Sequence, residues 1–279
     1  MRTLATTGVL ALGALSTARA DEPAPAPVTS PSAAAGDQLA LPGGAFLIDG
    51  FVEISLSKDA VFKPISLTPD LWYGATDELT LGLVHSSIAT TGFIGGAGDS
   101  LCLTGSSNGC AHLYKDVGVD VRYRIASPWS IDAGLFAANV SNPFLAVLKA
   151  GASGRWRFDK LVLELQPNLL VALNNRTSGS AATAMVAAVT PNNERLDLPV
   201  TIGYEVAPKV ELEGQTGVSL PFSQVGEFYQ VPLAVGVRYR VDDHLALGFA
   251  FALPALLGGN SLLHGIDART ATLGVSYAL

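Results

Sequence analysis

His85 and Ser87 stand two residues apart near the end of an alternating segment. On a strand, side chains two apart share a face, so the pair offers an imidazole to a hydroxyl as base to nucleophile. Such a pair needs a third group, Asn, Asp or Glu, to orient the imidazole. The residues of matching parity on the neighbouring segments, Ile65 and Leu67 before and Leu113 and Lys115 after, supply none, which favours a histidine at the rim of a sheet over a catalytic base. Cys102 and Cys110 are the only cysteines and lie in one loop; in an oxidising compartment this spacing predicts a local disulfide. Two thiolates with His112 would make an incomplete metal site, so neither a metal nor another cofactor is expected. Gly95-Gly96-Ala97-Gly98 has no strand-to-helix context after it and reads as a flexible loop rather than a phosphate cradle.

The other chemistry in the chain is fixed charge. Arg122, Arg124, Arg155, Arg157, Arg238 and Arg240, with Asp120, Glu164, Glu205, Glu211 and Glu213, all sit at alternate positions between large apolar residues. Glu53, Asp70, Asp116, Asp132, Lys149, Asp197 and Arg269 have the same parity. Charges confined to one face of alternating segments either impose ion selectivity on a wet passage or pair off and hold strands together. The sequence leaves both open.

These residues must be positioned by strands. Residues 245–254 alternate without exception, Leu245, Leu247, Phe249, Phe251 and Leu253 between Ala246, Gly248, Ala250, Ala252 and Pro254. About a dozen such stretches of roughly ten residues follow one another, the length a tilted strand needs to cross a bilayer. Five tight polar turns, around residues 76–78, 126–129, 158–160, 206–209 and 241–244, alternate with six longer connections near 58–63, 87–113, 140–145, 174–194, 221–229 and 256–267. Eleven connections make twelve strands, and an up-and-down antiparallel transmembrane β-barrel is predicted, with short turns and both termini on the periplasmic side. Tyr73, Tyr123, Trp156, Phe158, Tyr204 and Tyr239 fall on the lipid-facing parity beside short turns, the expected position of an interfacial aromatic girdle. A spanning helix over 245–263 is argued against by Pro254, by Gly258-Gly259 and by the period of two.

Composition agrees. Hydrophobic residues make up 49% of the 279 and charged residues only 15%, too little charge to cover a soluble domain of this size. The net charge of −7 excludes a basic nucleic-acid-binding surface. Arg2, the apolar run 4–15 and Ala18-Arg19-Ala20 read as a signal peptide over 1–20; residues 21–44, rich in Pro and Ala, read as a flexible periplasmic tail, and 45–279 as the barrel.

The last strand, Gly274-Val275-Ser276-Tyr277-Ala278-Leu279, resembles the closing strand of bacterial outer-membrane β-barrel proteins, which carries a glycine, an apolar antepenultimate residue and a terminal aromatic. Leu279 stands where that family usually has Phe, and Leu273 where it has a polar residue. The resemblance implies an outer-membrane location among lipids and recognition of this strand by the barrel assembly machinery. His85-Ser86-Ser87 resembles the motif of outer-membrane phospholipases and lipid A deacylases, which would imply a lipid acyl hydrolase. The leading expectation is a porin-like, non-enzymatic channel for small polar solutes. Its rivals are a closed structural barrel whose loops 92–112 and 174–194 contact an outside partner, and the hydrolase using His85 and Ser87.

Overall fold

Strict alternation of apolar and small or polar residues leaves each segment two faces with different solvents, and a sheet that cannot end in lipid must close on itself. The computed structural model describes residues 39–57, 64–95, 100–105, 110, 112–141, 144–174, 194–260 and 264–279. The expected signal peptide, residues 21–38 of the expected tail, Gly96-Ala97-Gly98 and the loop tips at 58–63 and 175–193 lie outside the described residues.

The strands, in chain order, are β1 (Phe46–Ser55), β2 (Ile65–Gly74), β3 (Leu79–Val84), β4 (Leu101–Cys102), β5 (Val117–Ala126), β6 (Trp129–Asn139), β7 (Leu145–Phe158), β8 (Leu161–Leu165), β9 (Asn168–Ala172), β10 (Arg195–Ala207), β11 (Val210–Pro221), β12 (Gln230–Arg240), β13 (Leu245–Gly258) and β14 (Thr270–Ala278). All pairings are antiparallel, and β1 pairs with both β2 and β14, closing the wall. β8 and β9 share the neighbours β7 and β10. They are one wall strand, broken at Gln166-Pro167 because proline brings no N–H to the ladder. β4 pairs with β2 just past the end of the short β3, so β3 and β4 fill one place in the wall. The barrel therefore has twelve wall strands, as the sequence predicts.

The five short connections fall at residues 75–78, 127–128, 159–160, 208–209 and 241–244, all at one end, together with the start of β1 and the end of β14. Asp159 and Lys209 take positive φ of 53° and 76°, the left-handed backbone that two-residue hairpin turns require. In the longer turn, Asp242 accepts the backbone N–H groups of His244 and Leu245 at 2.8 and 2.9 Å. These two bonds hold its carboxyl below the usual carboxylate range.

Among the described residues, no outward position of a wall strand carries a charged side chain. Leu71, Leu83, Val119, Leu135, Ile202, Leu212, Val235, Phe249 and Val275 are exposed on that face, while Thr68, Asp70, Asp120, Asp132 and Lys149 are buried on the other. The inward face is not uniformly polar, however. Phe136 is buried there, and its ring lies where a Cβ on Gly118 or Gly134 would stand, at 2.1 and 2.6 Å. The wall glycines on that side make room for an aromatic filling.

Candidate functional site: the barrel lumen

The chain leaves the wall at Val84 and turns inward. Asp70 on β2 drives the turn: one carboxylate oxygen accepts the N–H groups of His85 and Ser86 at 2.6 and 3.0 Å, and the other accepts the Ser86 hydroxyl. Ser86 Oγ in turn accepts Ala89 N–H at 3.0 Å, capping a short helix, α1 (Ser87–Thr91). Gly92, at φ 85°, ends α1 in the left-handed conformation that glycine adopts without strain.

Across the lumen three carbonyls of this segment, those of Ala89, Thr91 and Gly92, each meet a polar side chain from a different strand. Lys149 Nζ on β7 donates to Ala89 O at 2.7 Å and to Asp120 Oδ2 on β5, also at 2.7 Å. Asn168 Nδ2 on β9 donates to Thr91 O at 3.1 Å. Gln215 on β11 donates to Gly92 O and accepts Ile94 N–H, both at 2.8 Å. Unpaired backbone groups in a dry interior are costly, and these residues remove that cost, so residues 86–95 are built into the lumen. Of the connection 87–113, expected wholly outside, only the part after this segment returns to the long-loop rim, through β4 and the Cys102–Cys110 disulfide.

A second segment enters from the short-turn end. Residues 39–44, the described part of the stretch expected as a flexible tail, are packed. Leu41 N–H donates to Thr80 Oγ1 at 2.7 Å, Gly43 N–H to Asp77 Oδ1 at 2.9 Å and Gly44 N–H to Gly74 O at 2.7 Å. Leu41 is buried with Trp72, Val84, Phe136 and Ala89 of α1, so both non-wall segments meet in one apolar cluster that fills the β2–β3–β5–β6 side.

The opposite side stays open. A cavity of about 310 Å³ lies against β10–β14 and β1, where inward Ala246, Gly248, Ala250, Gly274 and Ser276 take little space. Six cationic side chains line it, Arg155, Arg157, Lys160, Lys209, Arg238 and Arg240, against the carboxylates Asp49, Glu205, Glu211 and Glu213, and α1 contributes Ile88 with nearby Ile94 at its inner end.

The arginines singled out in the sequence divide by partner. Arg122 pairs with Asp132 at 2.9 Å and lies 5.2 Å over the Trp72 ring, and Arg124 lies 3.9 Å from Glu78 in the first short turn; neither lines the cavity. Arg155 pairs with Glu164 at 3.4 Å. Arg238 and Arg240 form no ion pair within 4 Å among the described residues, although Glu211 sits directly across from Arg238 in the β11–β12 register. Sequence reasoning grouped six arginines by parity alone; ion pairing, which separates them, depends on strand register.

His85 and Ser87 are not a dyad. β3 ends at Val84, so the alternation that would place them on one face stops before it reaches them. The His85 ring is held between Pro69 O and the Tyr114 hydroxyl, and Ser87 Oγ donates to Phe93 O at 3.1 Å. The serine that holds a carboxylate is Ser86, and its hydroxyl caps α1. The aromatic residues expected as a girdle all lie by the short turns, where Trp129 and Trp156 meet edge to face at 5.1 Å and Phe46 joins Tyr73 at 4.6 Å. Tyr123, Phe158, Tyr204 and Tyr239 are exposed on the same outer face.

No protein-family model and no curated protein matches the chain. Among solved structures, the KdgM porin in complex with disordered oligogalacturonate is similar with a TM-score of 0.50 at 12% identity, over 83% of this chain and 98% of that one. An outer membrane channel from Pseudomonas putida F1 has a TM-score of 0.47 at 14% identity, over 88% and 98% of the two chains. For outer membrane phospholipase A from Escherichia coli the values are 0.45, 11%, 90% and 98%. At such identities the likeness is one of fold. The chain has the closed antiparallel β-barrel fold of the outer-membrane porins.

Proposed function

We propose that this protein is an outer-membrane channel through which small polar solutes pass without chemical change. The observation that carries the reading is the half-open lumen: small residues on the inner face of β12–β14 leave a cavity whose charges, Arg238 and Arg240 above all, are not consumed by ion pairs. Charges left facing such a space must be hydrated, and a hydrated strip along one wall is a path. The uncharged outer belt and the aromatic residues by the short turns support a membrane setting with those turns at the periplasmic interface, and the last strand is the part that the barrel assembly machinery would read. The separate partners of His85 and Ser87 favour a protein without lipid hydrolase activity.

With six cations against four carboxylates on the lining, a narrow passage should favour anions, because a low-dielectric wall amplifies fixed charge. Purified protein in a planar bilayer should give discrete conductance steps with an anion-to-cation permeability ratio above one. Arg238→Gln with Arg240→Gln should lower that ratio, whereas Arg122→Gln, already paired to Asp132, should leave it in place. A closed structural barrel is the second reading, favoured by the Leu41, Trp72, Val84 and Phe136 cluster that fills the other half of the lumen. Silent recordings from folded protein would select it.

A further inference from the structure

The open side of the lumen has chemistry that differs from end to end. In the strand register Arg238 lies opposite Gly248, Gly248 opposite Gly274, and Gly274 opposite Phe51. All four face inward and line the same cavity. One row across four strands therefore carries a guanidinium at one end, an aromatic ring at the other and two glycines between. Adjacent strands are about 4.8 Å apart, so roughly 14 Å separates the Arg238 and Phe51 backbones. The Phe51 ring lies over Gly274, 3.4 Å from where a Cβ would stand, and Gly248 leaves bare backbone between that ring and the Arg238 position. Ile88 and Ile94 of the inward segment add apolar surface to the same cavity, and Arg240 stands on the Arg238 face one step nearer the short turns. The cavity volume, about 310 Å³, is at the low end of small-molecule sites, about 300 Å³ upward.

We infer that this row is a binding site for a small carboxylate with a flat or compact apolar body, the anionic group on Arg238 and the body over Gly248 against Phe51 and Ile88. The assignment rests on the reading of the cavity as the solute path and names the class of solute that the path retains. Two features set the class. Glu211 and Glu213 on the neighbouring strand repel a second negative charge, which favours a monoanion over a polyanion. Phe51 and Ile88 offer apolar contact that an aromatic or branched body uses and a short-chain acid forgoes.

Gly248 supplies a clean probe, since a Cβ built there meets nothing nearer than 4.0 Å; Gly248→Leu starts from that free position and extends into the cavity. Full-length barrel refolded into lipid nanodiscs would be titrated calorimetrically with sodium benzoate, sodium acetate and benzylammonium chloride. Benzoate should bind saturably and at least tenfold more tightly than either comparator, and Gly248→Leu and Arg238→Gln should each weaken it at least tenfold. Heat-modified gel mobility confirms that each variant is folded, and Gly248→Leu decides if Arg238→Gln fails to fold. Absence of saturable benzoate binding overturns the site, as do equal affinity for acetate, equal or tighter binding of benzylammonium, or a Gly248→Leu variant that binds like wild type. The bilayer recordings are an independent readout: silent channels with benzoate binding intact remove the channel reading and keep the site, whereas conduction without benzoate binding removes the site alone.

Discussion

At the scale of single residues, the lumen is organised by a few polar side chains that each do two things. Lys149 is fully buried, and its ammonium joins Asp120 to the carbonyl of Ala89. The ion pair ties β5 to β7, and the second contact ties both to the inward segment. Taking one partner from a buried pair leaves an uncompensated charge, which costs about 3–5 kcal/mol, whereas replacing both with apolar groups is often close to neutral. Lys149→Met should therefore lower the denaturant midpoint of the refolded barrel markedly, and Lys149→Met with Asp120→Leu should recover most of the loss. A double variant no more stable than the single one would mean that the Ala89 carbonyl, not Asp120, is the partner that matters. Asp70 has a parallel role through His85, Ser86 and the first turn of α1. Parity in the sequence places Asp70, Asp120 and Lys149 inside; that they hold a segment lying across the lumen is written in no local pattern.

At the scale of elements, legibility follows periodicity. The twelve wall strands, the five short turns and the inward or outward sense of each residue can be read from the sequence because a strand in a bilayer wall must alternate, and one slip in register would turn every apolar side chain to the lumen. β13 gives the test. Leu247→Arg or Phe249→Arg places a charge on the exposed apolar face and should cost about 2–4 kcal/mol near the middle of the bilayer, while Ala250→Arg points into the cavity and should be felt as lost free volume and altered conductance. Equal costs at all three positions in a urea titration of vesicle-embedded protein would overturn the face assignment. The same logic explains what could not be read. Residues 86–95 have no period because what holds them across the lumen is three backbone carbonyls meeting side chains from β7, β9 and β11, and β3 gives no sign that it ends at Val84 other than the serine that caps α1. The disulfide was legible from spacing because eight residues of separation suit a local bridge and no other cysteine competes. In protein digested without reduction, the peptides holding Cys102 and Cys110 should remain linked, and Cys102→Ser with Cys110→Ser should leave the heat-modified gel shift unchanged, because the bridge lies at the rim and the only wall pairing it touches is the two-residue backbone pairing of β4 with β2.

At the scale of the whole molecule, the barrel is divided lengthwise: one half is filled by Trp72, Phe136, α1 and residues 39–44, and the other is left to the charged cavity. The filling is held from two directions, by polar anchors on α1 and by the wall beneath the entering chain. That second hold is narrow. Gly74 faces inward where Pro42 passes, and a Cβ at that position would stand 2.0 Å from Pro42 O, so any larger residue must push the entering chain off the wall. The bonds from Leu41 to Thr80 and from Gly43 to Asp77 would be lost with it, along with the burial of Leu41, a loss of about 2–5 kcal/mol if it resembles other buried leucines. Because the wall pairings on both sides of Gly74 use backbone groups, the barrel itself should persist. Gly74→Val is thus expected to keep the heat-modified gel shift and to raise single-channel conductance above wild type, since the space under Trp72 and Phe136 becomes continuous with the charged side. Leu41→Asp should act in the same direction without touching the wall. Conductance equal to wild type in both variants would show that residues 39–44 are inert packing and that solute passes wholly along β10–β14.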